Sequence, residues 1–222
     1  MSSANNTSLA DQLGETVKSF MSSLSEDEAQ ITAGSFEKLY ASQIAENAIN
    51  VGDIAPDFTL PNATGDPVTL YEALNSGPVV LSFYRGGWCP FCNLELQALQ
   101  ARLPEIRALG ANLIGISPET PDMAQSAIEK LQLGFEVVSD IGNKTARHYG
   151  LLFTVYEEMR PLYLKWGLDV PASNGDDSWE LPVPATYVID TSSVVHAAHA
   201  DKDYTRRMEP EQILAALQDL KA

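Results

Sequence analysis

Cysteine is nearly missing from this chain: there are two in 222 residues, Cys89 and Cys92. So few, set so close together, exclude a secreted scaffold held by disulfides, which needs more cysteines at longer spacings. Basic residues are also scarce. Lys and Arg number 14 against 30 Asp and Glu, a formal net charge of -16. Nucleic acid and anionic membrane surfaces both select for the opposite sign. The acidic residues are spread along the chain and read as a solvated surface. No apolar run approaches the roughly 18 residues that a membrane span needs. The polar, amphipathic start, Met1 to Phe20, has no basic stretch leading into an apolar block, so no secretory leader and a cytoplasmic location are expected.

What is present is the balance of a soluble globular protein, 45% apolar and 20% charged, with length for one domain and some extra elements. Leu9, Leu13, Val17, Phe20 and Leu24 fall on one helical face. Ser25 with Glu28 is a capping-box pattern opening a second helix through Leu39 and Ile44. Residues 1–50 are therefore expected to be a helical extension, packed on the rest of the chain or on a partner subunit, which would make a homodimer. Residues 51–222 read as the main domain. Short extended stretches at Asp57–Leu60 and Val68–Leu70 precede Pro78–Tyr84, an apolar run suited to a strand buried on both faces. A helix through Leu94 to Ile106, a strand over Ala111–Ser117, a helix over Pro121–Leu133 and a strand over Phe135–Ser139 follow, then a short helix over Lys144–Tyr149. The pattern weakens from Leu151 to Leu181, with a helix over Tyr156–Trp166 broken or begun at Pro161 and a polar loop over Ser173–Ser178. Strands at Ala185–Asp190 and Val194–Ala198 form a hairpin, and a last helix starts near Pro210. The class is α/β, a central mixed sheet flanked by helices.

Cys89 and Cys92 stand where a buried strand gives way to a helix, the setting of a redox dithiol. The thiolate is the reactive form, and the unpaired N–H groups of a helix start stabilise it. Pro90 fits the first turn, where no N–H is needed. Phe91 is expected partly exposed beside the sulfur, and Arg85 either adds positive potential or lies on the surface. The competing reading, half a zinc site, would need His196 and His199. Three apart on a strand, these point to opposite faces, and no metal is expected. Pro184 precedes a strand. A cis Val183–Pro184 bond there would present backbone to an extended thiol substrate.

The run Phe83-Tyr-Arg-Gly-Gly-Trp-Cys-Pro-Phe-Cys92 with Glu95 resembles the peroxiredoxin-like branch of the AhpC/TSA superfamily, as do Val51–Phe58, Pro184–Asp190 and Asp201–Pro210. The resemblance spans residues 50–220 and implies a thioredoxin-like fold of the peroxiredoxin type. It places Cys92 at the peroxidatic position and Glu95 at the acid that follows it. The signature's proline and threonine fall on Arg85 and Cys89, and its late arginine falls near Pro184. Arg85 and Arg207 are the nearest candidates to supply the missing guanidinium, and either one aimed at Cys92 would favour peroxidase chemistry. Trp88–Cys92 also resembles thioredoxin in Trp-Cys and glutaredoxin in Cys-Pro-Phe-Cys.

The expectation that follows is an oxidoreductase without a cofactor. Its leading mechanism is thiol–disulfide exchange, with Cys89 attacking and Cys92 resolving, and with Trp88, Phe91, Pro184 and Arg85 around the substrate. The alternative is a thiol-dependent peroxidase, Cys92 oxidised and Cys89 resolving. A redox-insensitive scaffold is the third reading. The partners of either enzyme would be a thioredoxin- or glutathione-type reductant and a disulfide or peroxide.

Overall fold

The computed structural model describes residues 7–221. Its centre is a five-stranded mixed sheet in the order β5 (Glu136–Ser139), β4 (Asn112–Ser117), β3 (Val79–Phe83), β8 (Ala185–Ile189), β9 (Val195–Ala200). Strand β3 pairs in parallel with β4 and antiparallel with β8. Every residue of β3 and β8 is buried, which is why these strands read as unbroken apolar runs rather than alternating ones. The parallel steps require crossovers. Helix α4 (Pro90–Ala108) makes one and α5 (Pro121–Leu131) the next.

Two apolar layers sandwich the sheet. On one side Leu96, Leu99, Leu103 and Ile106 of α4 meet Ile213, Leu214 and Leu217 of α9 (Pro210–Asp219). On the other, Phe58, Leu70, Leu81, Tyr149 and Tyr187 pack together; Leu70 opens α3 (Leu70–Leu74) after the hairpin of β1 (Thr59–Pro61) and β2 (Pro67–Thr69), and Tyr149 follows α6 (Lys144–His148). Both N-terminal helices form, the second ending at Ala41 and not running through Ile44. Helix α1 (Leu9–Ser23) is capped by Ser8, which accepts the Asp11 N–H at 3.1 Å. It buries Leu9 and Leu13 in the α4–α9 layer. Helix α2 (Glu26–Ala41) opens with the reciprocal Ser25–Glu28 capping box.

The weakly patterned stretch holds more structure than its sequence indicates. Strand β6 (Leu152–Thr154) pairs with β7 (Glu180–Pro182). Between them lie a 3₁₀ turn (Glu157–Met159), α7 (Arg160–Lys165) and α8 (Val170–Asn174). Asp169 caps α8 by accepting the Ala172 N–H, and Gly175 ends it at φ +71°, so the polar loop starts later than expected. Among the described residues no peptide bond is cis, which corrects the expectation for Val183–Pro184. The Val183 N–H donates to the Leu151 carbonyl at 2.7 Å, so the chain runs extended from β7 into β8. Pro184 lies just outside the ladder, where its missing N–H costs nothing.

Candidate active site

Strand β3 ends at Phe83, and the next six residues turn the chain into α4. Gly86 sits in this turn at φ +147°, which side chains disfavour, and a Cβ there would also stand 2.9 Å from the Glu119 carboxylate and closer still to the Trp88 indole. Cys89 is the N-cap of α4, Pro90 the first helical residue, and Cys92 lies one turn in. The Cys92 N–H donates to the Cys89 sulfur at 3.4 Å. Both thiols are free and fully buried.

Two buried guanidinium groups flank the sulfurs. Arg85 donates from Nη2 to Cys89 Sγ at 3.1 Å and from Nη1 to the Tyr163 hydroxyl at 3.1 Å. Its plane is gripped by the Tyr204 ring, 3.9 Å from Cζ to the centroid. Arg85 is thus buried beside the Cys89 sulfur and not on the surface. Arg207 reaches Cys92 Sγ from Nη2 at 3.6 Å. It is held by Glu95 Oε2 at 2.6 Å and by the Tyr204 and Arg206 carbonyls. Glu95 is steadied in turn by the Thr186 hydroxyl at 3.0 Å.

These charges separate the two thiols. Burial pushes the Cys89 thiol up, but the Cys92 S–H, Arg85, Arg207 and the Cys92 N–H outweigh it and bring it down to about 5. Burial, and the anion on Cys89, push Cys92 well above the ordinary thiol range. The directions of the two shifts make Cys89 the more acidic sulfur of the coupled pair.

Glu119, 2% exposed, accepts the Gly87 N–H at 2.9 Å and so pins the turn before Cys89. Burial pushes its carboxyl up to about 7, against the pull of that N–H. A carboxyl that protonates more readily folded than unfolded stabilises the fold fully below its unfolded pKa. That contribution is lost as pH rises through 7. Glu119→Gln keeps an acceptor for Gly87 and removes the charge. It is expected to raise stability at pH 8 by up to about 3 kcal/mol. Urea unfolding at a series of pH values checks this; the gap should close towards about pH 4, the ordinary carboxylate range.

Of the residues singled out from sequence, Arg85, Trp88, Cys89 and Cys92 come together. Trp88 meets Tyr163 edge to face at 6.0 Å. Phe91 is buried, 5% exposed, against Tyr204 at 5.8 Å, which corrects its expected exposure. As the second residue of α4 it points inward to the aromatic cluster. Pro184 is buried too. His148 and His196 are exposed and His199 half-buried; among the described residues no cluster able to hold a metal forms. Nothing in the local sequence marks Tyr163 or Glu119 as site residues, and Thr186 and Tyr204 fall within segments that carry the resemblance without being singled out there.

The model of the AhpC/TSA family matches residues 51–198. Peroxiredoxin Q from the chloroplast of Arabidopsis thaliana is 31% identical over 175 residues, which is 78% of this chain and 68% of that protein. The crystal structure of peroxidoxin BcpB from Mycobacterium tuberculosis superposes with a TM-score of 0.62 at 24% identity, over 78% of this chain and 99% of its own. A thiol:disulfide interchange protein of the DsbE type from Chlorobium tepidum gives 0.52 at 25% identity, over 77% and 99%.

Proposed function

This chain belongs to the AhpC/TSA family and is an oxidoreductase, and we propose that it is a thiol-dependent peroxidase working through Cys89 and Cys92. The observation that carries the proposal is the pair of buried guanidinium groups, one aimed at each sulfur. Donors fixed around a reacting centre lower the barrier when they face the charge that develops there. Arg207 stands beside the sulfur in the family's peroxidatic position. Arg207 thus supplies the guanidinium that the resemblance places near Pro184. A site with both sulfurs buried suits a molecule as small as a peroxide better than a protein disulfide.

The reaction follows from the coupled pair. A proton shift between the two thiols puts the anion on Cys92, where Arg207 stabilises it. Cys92 Sγ attacks the outer oxygen of the hydroperoxide. The O–O bond breaks, and the alkoxide or hydroxide leaves as an alcohol or water after taking a proton. Cys92 is now a sulfenic acid. Cys89 Sγ attacks it, hydroxide leaves with a proton as water, and the Cys89–Cys92 disulfide forms. A dithiol of the thioredoxin type, or two equivalents of a glutathione-type thiol, reduces it back.

The exchange reading retains one specific support: Cys89 is the more acidic sulfur, as suits a disulfide-attacking nucleophile. Trapping separates the two. Wild type treated with one equivalent of hydrogen peroxide is expected to lose both thiols to an intramolecular disulfide. Cys89→Ser should instead hold a sulfenic acid on Cys92, captured by dimedone and located by mass spectrometry. No adduct on Cys92 in that variant would leave exchange as the better reading.

A further inference from the structure

Helix α2 reaches the dithiol only through Tyr204 and Arg85. Phe36 stacks on Tyr204, ring centroids 5.1 Å apart and planes inclined at 30°, and Tyr204 covers Arg85, which holds the Cys89 sulfur. The helix is tied down on both sides of Phe36. Glu28 pairs with Lys165 of α7 at 2.9 Å, and Lys38 with Glu158. Tyr40 donates its hydroxyl proton to Asp203 at 3.0 Å. Under α2 runs a cavity of about 20 Å³ lined by Thr32, Phe36, Leu39, Met159, Tyr163 and Tyr204. That is room for about one water molecule. Two of its walls, Tyr163 and Tyr204, are the residues that hold Arg85. Its lining is apolar except for a few hydroxyls, and Thr32 Oγ1 has no partner although Thr32 is 1% exposed. A buried hydroxyl in a space of that size is built to bond one small polar molecule.

We propose that Phe36 of α2 is a specificity-determining residue, which with Tyr204 and Leu39 makes the cavity beneath α2 the entry to the dithiol and passes hydrogen peroxide while excluding bulky hydroperoxides. The proposal rests on the peroxidase reading for its substrate, but the passage itself is a steric property and can be tested without it. Closing a path to a larger molecule is the kind of discrimination that packed side chains provide well, because a filled core does not deform to admit extra volume. Helix α2 precedes residue 51 and so lies outside the residues that the family model matches.

The experiment compares wild type, Phe36→Ala and Leu39→Ala, the second widening the same cavity without uncovering Tyr204. The rate constants of the reduced protein are measured with hydrogen peroxide and with cumene hydroperoxide. Labelling of the thiols is followed with iodoacetamide and with fluorescein maleimide. In both variants the reactions with cumene hydroperoxide and with fluorescein maleimide should rise by about tenfold or more, while those with hydrogen peroxide and iodoacetamide stay near wild type. A rise that is equal for small and bulky reagents, or no rise in either variant, overturns the role of Phe36. If wild type reacts with neither peroxide, the peroxidase reading fails, and the two labelling reagents still decide the passage.

Discussion

Arg207→Met is expected to slow the reaction with hydrogen peroxide by about 100- to 1,000-fold, the usual worth of one donor at a developing charge. It should also lower stability by about 3–5 kcal/mol, because removing one member of a buried ion pair leaves the other charge uncompensated. Both side chains of the Arg207–Glu95 pair are 1% exposed, and the contact is 2.6 Å, so solvent neither screens the pair nor rescues the orphan. The two losses have different origins and can be separated. In Glu95→Leu/Arg207→Met the stranded carboxylate is gone, and most of the stability should return. The peroxide rate should not, since no guanidinium faces Cys92. Stopped-flow rates and urea unfolding at pH 7 on the single and double variants provide the check. A single variant within threefold of the wild-type rate would remove Arg207 from the mechanism.

The dithiol was legible because its signals are local. Three-residue spacing, Pro90 at the helix start and the run Val79–Phe83 behind it are all read within one window of sequence, and the structure places Cys89 at the N-cap of α4. Ser25 and Glu28 were legible for the same reason. What surrounds the sulfurs arrives from far along the chain. Tyr163 comes from α7 inside the weakly patterned stretch, and Tyr204 and Arg207 from the segment before α9. Strands β6 and β7 are three residues each and pair across the whole intervening stretch, too short for alternation to register. The guanidinium for Cys92 reaches it from the chain after β9, where Arg207 stands, and not from the start of β8. The cis expectation at Pro184 rests only on a proline standing before a strand; here the Val183 N–H is taken by Leu151 and the chain stays extended.

Cys92→Ser is expected to abolish rapid oxidation by hydrogen peroxide, lowering the second-order rate by more than about 1,000-fold, since removal of a nucleophile is the most costly change a site can suffer. The substitution is a fair test because it leaves the other sulfur nearly as it was. A serine hydroxyl can still donate to Cys89 in place of the S–H, the backbone N–H of residue 92 still points at that sulfur, and Arg85 still stands 3.1 Å away. Cys89 therefore stays a thiolate at neutral pH, buried and beside a guanidinium, with everything an attacking sulfur needs except Arg207 in front of it. If anionic character alone decided reactivity, Cys92→Ser would keep most of the wild-type rate. The peroxidase reading says otherwise: position relative to Arg207 selects the sulfur, and the proton lent by Cys92 to the resting pair is moved when peroxide arrives. Cys89→Ser should then keep the first oxidation and lose only the disulfide-forming step. A Cys92→Ser protein oxidised as fast as wild type, with the oxygen on Cys89, would reassign the nucleophile and return the chain to thiol–disulfide exchange.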